Sequence, residues 1–282
     1  MKPVEFYPYP DVPAEAVADG ERIMAAGGLD VARKLVSGEA DMGGATGDTP
    51  LLLRAQGLPV KATTVLGGHS LTQIVVRRDR NIYLPEDFRG KTFSVTSLTD
   101  TTYYTLLGFL ASIGQPVENV KILAGGPVGV FKNLIEGKAD AMAGVPDWVV
   151  QVQQTDLKTM LFNSDSFFPS MAQAVLASDQ AIAGNGGALK AFIGATLRGL
   201  ADTMADPAGA AGQVVQNFKE QHKAAPQLVA KTVQYFVERV YVGQSRLGEV
   251  SATRMQKVQA FYLRQKLIDR ALPVTDHFTN QF

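Results

Sequence analysis

Apolar and polar positions along this chain follow a pattern that occurs twice. The segment KLVSGEADMGGATGD at residues 34–48 returns as NLIEGKADAMAGVPD at residues 133–147, in register and without gaps. Each copy predicts the apolar end of a helix, a glycine that tolerates a left-handed backbone (Gly38 and Gly137), a short buried strand and a polar loop. Such a unit is half of an α/β lobe. Two copies therefore predict an α/β protein with two similar doubly wound lobes.

The rest of the pattern predicts alternating strands and helices, followed from residue 187 by helices only. In chain order we expect a helix through Met24, a helix at 29–36, a strand at 40–45, a helix at 49–56, strands at 60–66, 71–77 and 92–96, a helix at 101–113, a strand at 120–123, a helix at 128–135, a strand at 139–143, a helix from Asp147, and strands at 158–162 and 172–176. The βαβαβ order in the middle of the chain indicates a mostly parallel sheet.

Polar residues at 77–91 are expected to lead into the second lobe. This assigns residues 1–82 and 172–282 to lobe 1, with the C-terminal helices packed on it, and residues 83–171 to lobe 2. Helix breaks are predicted at 206–207, 225–226 and 243–251.

The first lobe should lack one strand and one helix at its beginning. In the second lobe a strand and helix at residues 91–114 precede the strand at 120–123, whereas almost nothing precedes the corresponding run PVEFYPY. The opening residues MKPVEFYPYPD do not follow the basic and then apolar pattern of a signal peptide. We therefore expect the natural reading frame to begin upstream, with an export signal ahead of the missing strand.

Composition narrows the classes of function. The chain has 282 residues, 27 basic and 27 acidic, and no long run of either sign, so nucleic acid and anionic membrane surfaces are improbable partners. It has no cysteine, which excludes disulfides, thiolate metal sites and a cysteine nucleophile. The three histidines, His69, His222 and His277, lack the spacing of a zinc site, and the last two are expected at the surface near helix ends.

The first candidate binding residues lie between a strand and a long apolar helix. Ser97, Thr99, Asp100 and Thr101 bring hydroxyls and backbone N–H groups to a helix N-terminus, where an oxyanion is stabilised. The alternative is ordinary capping of the helix by Thr99 or Asp100. Unless Asp100 caps the helix, it would repel a sulfonate and favour a ligand with an amine or a ring N–H.

The loops after the two repeated strands are the next candidates. Thr46 and Asp48 precede a helix in the first lobe, where capping and ligand binding are equally plausible. In the matching loop, Asp147 and the single tryptophan, Trp148, offer a carboxylate and a ring platform for a planar ligand. Packing of Trp148 in the core is the competing interpretation.

Four further residues complete the candidate set. His69 and Ser70 stand in the segment GGHSLT, although a lone loop histidine is more often simply solvated. Gly126 would let its backbone N–H approach a ligand closely, or would only make a turn. Phe168 is proposed as a wall of the cleft, with plain packing as the alternative.

A catalytic triad would need the residue types found in Ser97, His69 and an aspartate. No nucleophile-elbow motif marks these residues, and no catalytic residue, cofactor or metal is assigned.

Four segments, in this order, resemble a known family. They are LVSGEADMGGATGDTPLLLRAQGLPVKA, FRGKTFSVTSLTDTTYYTLLGFLASIG, LIEGKADAMAGVPDW and LIDRALPVTDHFTNQF, and they span nearly the whole chain. The sequence resembles the periplasmic substrate-binding proteins of ABC importers of the nitrate, sulfonate and taurine type, which include binders of thiamine pyrimidine precursors.

The resemblance implies the type II periplasmic binding protein fold, in which two lobes joined by a hinge close over a small molecule. It also implies a periplasmic location, a monomer, an ABC permease as partner and no enzymatic activity. The ligand is then a small sulfonate, nitrate or carboxylate, or a pyrimidine precursor. The alternative is a soluble enzyme on the same fold, such as an aromatic-acid decarboxylase-like protein. A desulfinase of this fold needs a cysteine, which is absent here.

Overall fold

A computed structural model describes residues 4–5, 23–24, 28–218 and 225–282. These residues fall into two compact units. The first contains residues up to 69 together with 170–282, and the second contains residues 70–169. The chain thus passes from one unit to the other twice, after His69 and after Pro169. The boundaries predicted from the sequence, after residues 82 and 171, differ from these. At the first passage the reason is that the strand at residues 73–77 pairs with strands of the second unit.

The described strands and helices follow one another along the chain in this order: β1 (Val4–Glu5), β2 (Ile23–Met24), α1 (Gly28–Ser37), β3 (Gly43–Thr46), α2 (Thr49–Ala55), β4 (Val60–Val65), β5 (Gln73–Arg77), β6 (Thr92–Val95), α3 (Thr101–Ser112), β7 (Lys121–Ala124), α4 (Gly126–Ile135), β8 (Ala141–Gly144), α5 (Pro146–Gln153), β9 (Thr159–Asn163), β10 (Gln173–Ser178), α6 (Asp179–Gly184), α7 (Gly186–Ala205), α8 (Pro207–Asn217), α9 (Pro226–Arg239) and α10 (Ala252–Arg264). Short 3-10 turns occupy residues 78–80, 85–88, 117–119, 164–166 and 274–276.

The first unit contains a three-stranded sheet in the order β3-β10-β4. The central strand β10 runs antiparallel to both neighbours. β1 and β2 form a separate parallel pair. The prediction of a helix through Met24 is wrong at its end, because Ile23 and Met24 pair as a strand with β1; residues 6–22 of that prediction lie outside the described residues.

The second unit contains a five-stranded sheet in the order β7-β6-β8-β5-β9. The strands β7, β6 and β8 are parallel, as the βαβαβ pattern predicts, whereas β5 and β9 are antiparallel to their neighbours. These two strands stand together at one edge, where the chain enters and leaves the unit. Phe93, Phe109 and Leu110 form the centre of the core beneath this sheet. The sheet is therefore mixed.

The internal repeat is present in the structure. The first copy runs from α1 through β3 to α2, and the second from α4 through β8 to α5. Gly38 and Gly137 have φ angles of 76° and 75°. Ala40 and Ala139 each donate their N–H to the helix carbonyl six residues earlier, at 3.0 and 2.9 Å. The same helix ending thus feeds the same kind of strand in both units.

The helical C-terminal region belongs to the first unit, and its predicted breaks are confirmed. α8 begins at Pro207, α9 begins at Pro226, and α10 begins after Ser251, whose hydroxyl accepts the Arg254 N–H at 3.3 Å. Among the described residues, no helix combines the length and the apolar character needed to cross a membrane.

His277 is buried, contrary to the surface position expected from the sequence. It is 1% exposed, and its Nε2 lies 3.0 Å from Oε1 of Gln259. The carbonyl of His277 accepts the Ala62 N–H at 3.0 Å, so the C-terminal tail lies along β4 and carries the imidazole inside. Burial lowers the pKa of His277, while the neighbouring Pro50 carbonyl favours the protonated ring more weakly. His222 lies outside the described residues.

Candidate functional site

Asp100 caps the long helix of the second unit. Its Oδ1 accepts the Thr102 N–H at 2.8 Å and the Thr102 hydroxyl at 2.7 Å, and that hydroxyl in turn accepts the Thr96 N–H at 3.0 Å. The capping interpretation is therefore confirmed for Asp100. Its carboxylate satisfies backbone donors of α3 and complements the positive end of the helix dipole.

The neighbouring hydroxyls lie at the same end of β6. Ser97 is half-buried and Thr99 is exposed, with 3.4 Å between their hydroxyl oxygens. Thr101 is the first residue of α3, and its carbonyl accepts the Thr105 hydroxyl at 2.8 Å. Ser97 and Thr99 thus lie near solvent without a strong mutual hydrogen bond, and their ligand role stays a prediction.

Gly126 begins α4 with a φ of 64°, which explains the glycine. Its backbone N–H, which we predicted to approach a ligand, donates instead to the Thr96 carbonyl at 3.0 Å. Gly125 donates to the Val95 carbonyl at 2.9 Å. Both amides are used to join α4 to β6, so the turn interpretation fits this glycine.

Two of the predicted aromatic contacts lie in the packed interior of the second unit. Trp148 is 7% exposed within α5, and Phe168 is fully buried. A Cβ on Gly108 would come within 2.8 Å of the Phe168 Cβ, which shows how closely the ring stem packs on α3. Asp147, in the first turn of α5, is half-buried. Core packing accounts for Trp148 and Phe168.

Ser70 fixes the beginning of the second unit. It is buried, and its N–H and hydroxyl lie 3.0 and 2.9 Å from Oδ1 of Asp165. Nearby, the hydroxyls of Thr72 and Thr105 are 2.6 Å apart. These contacts hold the first strand of the unit to its last turn and to α3, which is a structural role.

In the first unit, Asp48 is buried and does not cap α2. Its carboxylate accepts hydrogen bonds from the Ser170 hydroxyl at 2.8 Å and from the Tyr262 phenol at 2.5 Å. The Thr46 hydroxyl lies 3.0 Å from that of Thr49. Neither of the two interpretations offered for Asp48 included this network. It joins the loop after β3 to α10 and to the segment where the chain returns to the first unit.

A cavity of about 380 Å³ lies within the first unit, beside the end of β4. Its walls come from the loop that contains His69, from Met171, and from the segment at residues 243–254. The polar and charged side chains that line it include those of Gln244, Glu249 and Arg254. Its size lies within the range of ligand pockets, which start at about 300 Å³.

Hydrogen bonds hold the wall formed by residues 243–249. The Gln244 amide donates to the Val65 carbonyl at 2.9 Å and to the Glu249 carbonyl at 3.1 Å. The Gly248 carbonyl accepts the Thr64 hydroxyl at 2.9 Å and the Val65 N–H at 3.2 Å. The loop is thus tied to β4, and these hydrogen bonds hold this wall of the cavity.

The opposite edge of the cavity consists of closely packed backbone. A Cβ on Gly67 would lie 2.2 Å from the Val240 carbonyl oxygen, so only glycine fits there. Gly243 has a φ of 86°, and a Cβ on it would lie 2.6 Å from the His69 ring. The Nδ1 atom of the His69 ring is 3.2 Å from the Arg239 carbonyl oxygen. His69 is therefore an ordered part of the cavity wall.

Arg254 links this cavity to the Asp48 network. Its Nε lies 3.2 Å from the Ser170 carbonyl, which Nη2 also contacts, and the Ser170 hydroxyl donates to Asp48. Sequence reasoning did not single out Arg254 or Glu249. The available signal was the polar segment before α10, which we interpreted only as a helix break.

Among the described residues, no group of three His, Asp or Glu side chains is placed to hold a metal ion.

The fold is the α/β fold of the type II periplasmic binding proteins. The alkanesulfonate-binding protein SsuA from Xanthomonas axonopodis pv. citri, in complex with MOPS, has the same fold with a TM-score of 0.76 and 17% identity, over 99% of this chain and 98% of that chain. The desulfurization enzyme DszB also shares it, with a TM-score of 0.65 and 13% identity over 99% of this chain and 96% of that chain.

The family profile described as NMT1/THI5 like matches residues 21–210, well over half of the chain. The chain belongs to this family. The riboflavin-binding protein RibY of Chloroflexus aurantiacus is 24% identical over 240 residues, which cover 84% of this chain and 68% of that protein.

Proposed function

We propose that this protein is the periplasmic solute-binding component of an ABC importer. It captures a small organic ligand and delivers it to a membrane permease. Membership of the NMT1/THI5-like family and the fold shared with SsuA support this assignment. The observation that carries it is the polar cavity of about 380 Å³ in the first unit, whose wall is held to β4 by hydrogen bonds. Groups that are held by hydrogen bonds lose little conformational entropy when a solute binds.

We further propose that ligand binding closes the two units around a hinge. The chain crosses between them after His69 and after Pro169, and few crossings favour relative motion. A ligand that interacts with both units stabilises the closed form and shifts the equilibrium toward it. The importer would then recognise that closed form.

The ligand class we favour is a small sulfonate, nitrate or carboxylate, with a pyrimidine precursor as the second choice. Arg254 supplies a positive charge at the cavity of the first unit, and guanidinium groups bind oxyanions well. In the second unit, Ser97 and Thr99 offer hydroxyls near solvent at the end of β6. Capping of α3 by Asp100 removes the objection that its charge would repel an anion.

We propose no catalytic activity. Among the residues of triad type, the Asp48 carboxylate is taken by Ser170 and Tyr262, and His69 bonds to a backbone carbonyl. The fold shared with DszB keeps an enzyme as the alternative, although the chain has no cysteine for a desulfinase reaction.

We also propose that the protein acts as a monomer. Light scattering coupled to size-exclusion chromatography tests this by measuring the molar mass in solution.

The test is a thermal-shift screen of sulfonates, taurine, nitrate, aromatic carboxylates, pyrimidines and riboflavin, with product analysis of every hit. Ligand at about 100 times its Kd adds roughly 2.7 kcal/mol of stability, which raises Tm by several degrees. A shift with the ligand recovered unchanged supports a binding protein. Conversion of the ligand identifies an enzyme, and the absence of any shift contradicts the proposal.

A further inference from the structure

The C-terminal tail, residues 272–282, and the loop that forms the cavity wall cover the same edge of β4. β4 is the last strand of the sheet β3-β10-β4, and its inner edge pairs with β10. On the outer edge Ala62 bridges to Phe278 of the tail, and further along Val65 bridges to Gly248 of the loop. Two segments that are distant in the sequence thus supply hydrogen bonds to one strand edge.

The side chain of Asn280 ties these two segments together. Its Oδ1 accepts the Val250 N–H at 2.9 Å, and its Nδ2 donates to the Val250 carbonyl at 3.0 Å. An amide side chain that bonds both backbone groups of one residue reproduces the pair of hydrogen bonds made by a neighbouring strand. In the other direction, Nη2 of Arg246 in the loop donates to the Asn280 carbonyl at 3.2 Å. Val250 is buried, so its backbone groups need these partners.

The residues on either side of Val250 line the cavity. Glu249 precedes it and Ser251 follows it, and both belong to the cavity wall. The Glu249 carbonyl also accepts the Gln244 amide at 3.1 Å. Asn280 therefore holds the centre of this stretch, between its two cavity-lining residues.

We propose that Asn280 is a positioning residue for ligand binding in this cavity. The inference rests on the proposed function and adds the residue that sets the wall. Asn280 acts through Val250 and keeps Glu249 and Ser251 in fixed positions, so a ligand does not have to order them when it binds. The coupling is reciprocal, because a ligand that needs the ordered wall also stabilises the contact between the wall and the tail.

Hydrogen–deuterium exchange of the ligand-free protein tests the structural part of this inference. Asn280→Ala removes both side-chain hydrogen bonds to Val250, whereas the backbone bonds between Ala62 and the tail remain. We expect the amides of residues 243–251 to exchange about tenfold faster than in wild type, and those of β10 to exchange at the wild-type rate. Gln281→Ala, which changes the exposed neighbour of Asn280, should leave both segments unchanged.

Isothermal titration tests the functional part, with ethanesulfonate, taurine, nitrate, benzoate, cytosine and riboflavin as probes. For at least one probe that binds the wild type, Asn280→Ala should raise Kd about tenfold, since a wall that holds its binding geometry about a tenth of the time lowers the apparent affinity by that factor. Gln281→Ala should keep the wild-type Kd.

A second control separates positioning from a general loss of stability. Val229 is buried in the cluster between α8 and α9, so Val229→Ala should lower Tm by creating a cavity there. Because Val229 lies in a different cluster from the tail, this variant should keep the wild-type Kd. Tm is measured for every ligand-free variant, so that changes in affinity are compared with changes in stability.

Failure of this inference differs from failure of the proposed function. If none of the probes binds the wild type, the proposed function fails and the inference falls with it. If a probe binds the wild type and every such probe binds Asn280→Ala equally well, or if exchange at residues 243–251 does not change, the inference alone is overturned. It is also overturned if Val229→Ala raises Kd as much as Asn280→Ala does, because loss of stability would then explain the effect.

Discussion

The phenol of Tyr262 donates a hydrogen bond to the buried carboxylate of Asp48 at 2.5 Å. The second oxygen of this carboxylate accepts the Ser170 hydroxyl at 2.8 Å. Tyr262 lies in α10, Asp48 follows β3, and Ser170 is the residue at which the chain returns to the first unit. One buried carboxylate thus joins three segments that are distant in the sequence.

Tyr262→Phe should lower the free energy of unfolding by about 1–3 kcal/mol. The substitution keeps the ring but leaves a buried carboxylate oxygen without its donor, and that cost exceeds the value of an average hydrogen bond. Urea denaturation followed by circular dichroism measures the change. Tyr83→Phe is the control, since Tyr83 is 74% exposed and should change stability by less than about 0.5 kcal/mol. Equal stability of the two variants would contradict the structural role of the Asp48 network.

The local patterns of the sequence predict most elements of this fold. The repeat locates two helix endings, two left-handed glycines and two strands, and the capping signal at Asp100 identifies the start of α3. These features depend on neighbours within a few residues, so the sequence shows them directly.

Contacts between distant residues were not predictable in this way. The hydrogen-bond partners of Asp48 are far from it along the chain. The sequence predicts that Asp48 caps a helix or binds a ligand, whereas its carboxylate accepts a hydrogen bond from Tyr262. The sequence pattern does not predict the cavity for the same reason, since β4 and the segment at 243–254 meet only in the folded chain. The predicted surface position of His277 is wrong because the contact of the C-terminal tail with β4 decides the burial of this residue.

The two repeated glycines provide a matched pair of substitutions. Gly38→Ala places an alanine at a φ of 76° in open space and should cost about 1 kcal/mol from backbone strain alone. Gly137→Ala has the same strain, and its Cβ would also lie 2.9 Å from Nη2 of Arg80, which donates to the Gly137 carbonyl at 2.8 Å. We therefore expect Gly137→Ala to be the more destabilising.

Chemical denaturation of both variants checks this order. Gly212→Ala is the control, because Gly212 lies inside α8 with open space around it and an ordinary backbone, so alanine should stabilise by about 0.5–1 kcal/mol. A larger loss for Gly38→Ala than for Gly137→Ala would show that the Arg80 contact does not add to the strain.

Asp100 offers a test that separates capping from ligand binding. Asp100→Ala should cost about 1 kcal/mol, because the Thr102 N–H loses its acceptor, whereas Asp100→Asn should remain within a few tenths of wild type, since asparagine caps helices as well. Thermal unfolding of the ligand-free variants gives the comparison. If Asp100→Asn leaves stability unchanged but alters the affinity for a hit of the ligand screen, Asp100 contacts the ligand in addition to capping α3.

His277 should make the stability of the first unit depend on pH. Its pKa is lowered by burial, and the positive charges of Arg54 and Lys61 lower it further while Asp276 raises it. As the pH falls below about 6.5, the unfolded chain binds a proton that the buried ring does not, so the unfolded state gains stability relative to the native one. The free energy of unfolding should therefore fall progressively below about pH 6.5, until the folded ring also titrates.

Urea midpoints measured from about pH 8 to pH 5 test this expectation in wild type and in His277→Gln. Carboxylates titrate in both proteins, so the difference between them isolates the imidazole of His277. We expect that difference to be constant above about pH 7 and to shift in favour of His277→Gln as the medium becomes more acidic, because glutamine does not titrate. Parallel curves for wild type and His277→Gln would mean that the buried ring does not resist protonation.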